Sequence, residues 1–187
     1  MKRRVLLLLM CGAALSLSQV AAAAGARADA GSRIRFDNDR IDEVFRYATK
    51  NSPSFVDLVE TLETLDRLVY VEEGHCGHSE ERACLHILRA RDAKVLVIRI
   101  DPRQTLRSVT LQLAHELYHA LEVAREPDVV DAVTLRDLYA RIGERTCFGA
   151  AESCWETRAA VAFEALVARQ LVKGAPRTAP TQALTAK

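Results

Sequence analysis

The stretch that most narrows the fold is residues 104 to 124, QTLRSVTLQLAHELYHALEVA. Leu106, Val109, Leu113, Leu117, Ala120 and Ala124 recur at spacings of three and four, the period of one helix face. This spacing predicts one long helix, stopped at Pro127. The same helix would carry His115, Glu116 and His119, so whatever else the chain builds must pack around it.

Upstream, FDNDRIDEVFRYATKN offers a capping Asn or Asp and apolar Ile41, Val44, Phe45 and Ala48 at helical spacing. SPSFVDLVETLETLDRL starts with Ser52 as cap and Pro53 at the first helical position, followed by Phe55, Leu58, Val59, Leu62 and Leu65. The period then changes. Residues 68–72 (LVYVE) are short and β-branched, and CLHILRA (84–90) and KVLVIRI (94–100) flank the polar turn Arg91-Asp92 as a hairpin. Three strands in a small, mostly antiparallel sheet are expected. After the long helix, DAVTLRDLYARIG (131–143) reads as a helix closed by Gly143, and a last helix is expected over about 152–172. The reading is one α+β domain over 34–173, a flexible lead-in over 25–33 and a disordered tail over 174–187.

Residues 1–24 stand apart. Lys2, Arg3 and Arg4 precede an apolar run from Val5 to Leu17, and small residues end at Ala24. This is the pattern of a secretory signal peptide, with cleavage near Ala24 or Ala28. The apolar run is too short to span a bilayer, and Met10 stands before Cys11 where lipid attachment needs a small residue. The expected location is secreted or periplasmic, without stable membrane insertion. The leader has three positive and no negative charges, so its removal takes the formal net charge from +1 to −2. Neither value suggests a nucleic-acid partner. Cys76, Cys84, Cys147 and Cys154 remain, and their spacing favours two local disulfides, Cys76–Cys84 and Cys147–Cys154, over a zinc knuckle.

The chemistry lies in AHELYHALE, residues 114 to 122. Two histidines four apart lie about 40° apart around a helix and one turn along, so both imidazoles can reach one tetrahedral Zn²⁺. Glu116, about 100° round, can take a proton from a zinc-activated water without binding the metal. Core residue Leu117 anchors the helix so that the histidines face a cleft. A third ligand is needed. Glu122 lies a further turn along and is read as a supporting or solvated carboxylate. Glu156 is preferred: on the expected last helix it shares a face with Ala160, Phe163 and Val167, where a desolvated carboxylate needs a cation. The bland alternative is a buried pair with Arg141 or Arg145. Glu152 is the runner-up ligand, and Glu164 reads as solvated.

HELYH followed by a downstream helix with ETRA resembles the gluzincins, zinc peptidases with H-E-x-x-H and a glutamate ligand on a second helix. The E-x-x-A form is similar to small peptidases of the ImmA/IrrE type. The resemblance covers about residues 68–172 in order of elements, and in residue identity only the two motifs. It implies a zincin-like fold, ligands His115, His119 and Glu156, Glu116 as general base, and a peptide or protein substrate. The secretion signal, the cysteines and the lack of a helix-turn-helix or sensor domain depart from those small peptidases.

Other polar residues carry weaker expectations. His75 and His78 read as a solvated loop, and His86 as a mid-strand residue that could face the cleft. Tyr118, Tyr139 and Arg141 are candidates to stabilise an oxyanion. Trp155 reads as packing, Arg99 as solvated, and strand 94–100 as an edge that could pair with substrate. Two rivals stand beside the peptidase: a non-catalytic zinc protein and a metal-free extracytoplasmic interaction module.

Overall fold

In a computed structural model, residues 31–77, 82–89, 94–146 and 155–174 are described. The leader, the tail, His78, Glu152 and the expected Cys147–Cys154 bond lie outside them.

The N-terminal helices begin where their caps say they should. The Asn38 side chain accepts from the Ile41 N–H at 3.0 Å and starts α1 (Asp39–Asn51). Ser52 does the same for Phe55 at 3.2 Å and starts α2 (Pro53–Glu63), with Pro53 in the first turn. Each cap satisfies an N–H that the helix itself leaves without a partner. A strand, β1 (Ile34–Phe36), precedes them, unsuspected from the sequence because three residues carry no period. The two helices cross over from β1 to β2 (Leu68–Glu73), and such a crossover makes its strands parallel.

β3 (Ala83–Arg89) and β4 (Lys94–Ile100) form the expected antiparallel hairpin. The sheet order is β1-β2-β4-β3, and β2 pairs with β4 in parallel. Two of the three pairings are therefore parallel, which corrects the mostly antiparallel sheet expected. It also corrects the edge: 94–100 is an inner strand, and the exposed edge beside it is β3. Strand spacing alone does not reveal that β2 and β4 are neighbours with the hairpin partner outside them. The loop between β2 and β3 is closed by a Cys76–Cys84 disulfide, as expected. So short a loop contributes a few kcal/mol at most, about 3 or less.

One face of the sheet is buried. Ile34, Val69, Val71, Leu96, Ile98 and Ile100 alternate along their strands and point into a shared core with the helices. α3 (Leu106–Ala124) runs through that core, packed on α1, α2, β3, β4 and α5. Its Val109, Leu113, Leu117 and Ala120 are buried. Burying a Leu or Val side chain contributes roughly 1.5–3 kcal/mol. α4 (Ala132–Ile142) opens with a capping box between Asp131 and Thr134. The two-residue strands β5 (Glu144–Arg145) and β6 (Trp155–Glu156) then pair, and α5 (Arg158–Gly174) closes the described chain. The architecture is a mixed α+β fold with five helices and a small sheet among the described residues. None of these helices is long and apolar enough to cross a membrane.

Candidate metal centre

The helical spacing puts His115 and His119 side by side on α3, their Nε2 atoms 3.1 Å apart. Glu156 reaches both, with Oε2 at 3.1 Å from His115 Nε2 and Oε1 at 3.3 Å from His119 Nε2. The route by which Glu156 arrives differs from the one expected. It lies on β6, before α5 begins, so it has no helical face in common with Ala160, Phe163 and Val167. Its place is set by the β5–β6 bridge, where Glu144 faces Glu156, and by the turn at Gly143. A Cβ at Gly143 would sit 2.9 Å from the Tyr139 carbonyl oxygen and 3.1 Å from that of Glu156. Close approach of backbones, with ordinary φ (−106°), is what requires glycine there. The alternative buried pair with an arginine is not what forms. Arg141 reaches Glu126 at 3.5 Å, and Arg145 is exposed.

Each imidazole is fixed from behind. His115 Nδ1–H donates to Glu164 at 3.0 Å, and His119 Nδ1–H donates to Glu122 at 2.7 Å. Glu164, expected to be solvated, thus holds a histidine. Glu122 also accepts from the Thr157 hydroxyl at 2.7 Å, and Thr157 caps α5 through the Ala160 N–H at 3.1 Å. One carboxylate therefore ties His119 to the residue next to Glu156. A carboxylate can only accept, so each Nδ1 carries a hydrogen, and Nε2 is the nitrogen left to bind either a metal or a second proton.

Two imidazole lone pairs and a carboxylate then meet at one point, an arrangement that repels itself unless a cation sits between them. A tetrahedral Zn²⁺ with bonds of about 2.0–2.1 Å needs ligand atoms roughly 3.3 Å apart. The two Nε2 atoms are 3.1 Å apart, each has one of the two Glu156 oxygens within 3.3 Å, and one ligand atom from each residue lies within 4.8 Å of the others. The donor set of two imidazoles and one carboxylate suits the same ion. Without a metal the cation must be a proton. Burial opposes charge on His115, but Glu156 and Glu164 outweigh it and push the imidazole up to about 10. Burial likewise opposes charge on His119, and Glu122 and Glu156 raise it to about 9. For Glu156 burial favours the neutral acid, yet the two imidazoles hold the carboxyl down to about 2.

A cleft of about 400 Å³ opens beside these groups. Buried Glu116 lines it, as do Tyr139, Trp155, the exposed His86 and Arg136. Of the three oxyanion candidates, only Tyr139 lines it: its ring meets His119 edge-on at 5.3 Å, and its buried hydroxyl has no hydrogen-bond partner among the described residues. Burial, with Glu122, Glu116 and Glu156 nearby, raises that phenol well above its usual range. Tyr118 instead packs on Phe163 at 5.0 Å, and Arg141 is exposed beside Glu126. His75 is exposed and outside the cleft, and Arg99 is bonded to Glu72 at 2.5 Å. Sequence reasoning missed Glu164 and Arg136. A need for Nδ1 partners was the signal that could have found Glu164; nothing local marked Arg136. No protein-family model, curated protein or solved structure matches this chain.

Proposed function

We propose that the chain is a zinc-dependent peptidase of gluzincin type, with a zincin-like arrangement, acting outside the cytoplasm on peptide or protein substrates. The observation that carries this reading is the convergence of His115, His119 and Glu156 at metal-ligand separations, each imidazole held by a carboxylate on its far nitrogen. Bound there, zinc supplies a Lewis acid that lowers the pKa of water to about 7. Glu116, buried on the same cleft, accepts the proton of the attacking water and returns it to the leaving amine. The unpartnered Tyr139 hydroxyl is the donor placed to meet charge developing on the carbonyl oxygen. β3 is the sheet edge bordering the cleft, and an edge strand can hold an extended peptide by strand pairing.

The test is elemental analysis of the chain beside Glu156→Ala and Glu116→Gln, followed by hydrolysis of a mixed peptide pool. About one zinc per chain, lost or much weakened in Glu156→Ala, supports the centre. Glu116→Gln should keep the zinc and lose turnover. Zinc with no turnover in any form would leave a non-catalytic zinc protein, and no zinc at all would end the reading.

A further inference from the structure

We propose that Arg136 makes this cleft selective for a carboxylate on the polypeptide bound there, either an acidic side chain or a free C-terminus. α4 turns one face to the cleft, because Ala132, Leu135, Arg136 and Tyr139 all line it at spacings of three and four. Three of those four contribute apolar surface. Ala83, Leu85 and Trp155 add to the apolar lining. Arg136 is the only Lys or Arg lining this cleft among the described residues.

An exposed arginine on a helix is usually just solvated, and two features set this one apart. It lies on the cleft-facing stripe, not on the outer face of α4. It is also weakly engaged: its one ion pair among the described residues, to Asp137 next in the chain, is 3.8 Å long between exposed groups. By contrast Arg158 is held by Glu144 at 2.6 Å. A guanidinium stays charged throughout the physiological range and offers parallel donors matched to a carboxylate. The carboxylates that line the cleft, Glu116 and Glu156, are assigned to the metal centre and its chemistry, which leaves Arg136 for the ligand. Apolar walls with one fixed cation describe a subsite for an acidic group among small or aliphatic residues.

The assignment rests on the peptidase reading for the polymer that enters the cleft, but its test reads binding. The full chain carrying Glu116→Gln, with and without Arg136→Gln, is loaded with zinc and titrated calorimetrically. The probes are blocked six-residue peptides of Ala and Leu with one Glu at each position in turn, each beside its Gln twin. A second set compares a free with an amidated C-terminus. A Glu peptide should bind about tenfold tighter than its twin at one position. Arg136→Gln should erase that advantage and leave zinc content and the Gln peptides unchanged. An advantage seen only with the free C-terminus, and lost in Arg136→Gln, supports the subsite and assigns its source. Equal affinities in both arms, binding of no peptide, or a preference that survives Arg136→Gln would overturn it. Cleavage by the unmutated chain without acidic preference removes this inference alone; acidic binding without cleavage removes the peptidase reading alone.

Discussion

The proposed metal centre is assembled by two unlike regions. On α3 the spacing between His115 and His119 is a property of the helix itself and is set as soon as the helix forms. Glu156 has no such local guarantee. It depends on the turn at Gly143, on the β5–β6 bridge and on the Thr157–Glu122 hydrogen bond, all of them contacts between distant parts of the chain. The helix supplies two ligands rigidly, whereas the bridge supplies one by packing. Damage to the second region should therefore reduce metal binding in steps, and damage to the first should end it.

The largest effect follows from taking a ligand out of α3. His119→Ala should lower zinc affinity on the order of a thousandfold or more, since one imidazole and one carboxylate remain to hold the ion. Glu156→Ala leaves two preset imidazoles and should cost less, on the order of a hundredfold. Competition titration with a chromogenic chelator reads both. Equal losses would mean the helix does not preset the pair.

The same contrast explains how much could be read in advance. α1, α2 and α3 follow from caps and a 3.6 period, because their faces bury Ile41, Val44, Phe55, Leu58, Leu113 and Leu117. The hairpin β3–β4 follows from two apolar runs and a polar turn. β1 was invisible, since Ile34–Phe36 gains strand character only from its neighbour β2. The sheet's mostly parallel order was invisible for the same reason. The sequence points to Glu156 through a helical face that it does not occupy. Its apolar neighbours Ala160, Phe163 and Val167 do lie on α5, and the helix simply begins later than their period suggested. Periodicity located the residue in the sequence but not in the fold. Glu164 escaped because a single solvent-side glutamate looks the same whether or not an imidazole waits across the gap.

The carboxylates behind the histidines sharpen the comparison at an intermediate scale. Glu122 and Glu164 each hold one Nδ1, and such supporting groups are worth about 10–100-fold in metal affinity. Glu122 is the more buried and alone connects α3 to the Thr157 cap. Glu122→Gln should therefore fall at the upper end of that range and Glu164→Gln at the lower. A larger loss from Glu164 would mean that the link between the two regions matters less than the orientation of His115.

Gly143→Ala acts on the bridge and on the end of α4, leaving α3 untouched. The added methyl meets backbone oxygens that cannot swing aside, so β6 must shift by a few tenths of an ångström. Zinc affinity should fall about tenfold, while helix content by circular dichroism stays unchanged. Unaltered affinity would show that β6 tolerates the displacement.

The smallest effect concerns the metal-free chain, where protons stand in for the ion. His115 and His119 are raised from 6.5 to about 10 and about 9. Their contribution to stability is present in full below pH 6.5 and is lost as pH rises through 9 to 10. Glu156, lowered from 4.5 to about 2, contributes above pH 4.5 and loses that contribution as pH falls through 2. The cluster thus favours the folded metal-free chain most between about pH 4.5 and 6.5. Between pH 6.5 and 9.5 the metal-free Tm should drop by about 5 °C. Zinc needs no proton on either imidazole, so the loaded chain should lose little over the same interval. The drop should also shrink in His119→Ala, which removes one of the two protons, and survive in Gly143→Ala with its size reduced only as far as Glu156 has moved. A metal-free Tm that stays level to pH 9.5 would mean the imidazoles are not gripped by their carboxylates, and the convergence of α3 and β6 would then lose its electrostatic basis.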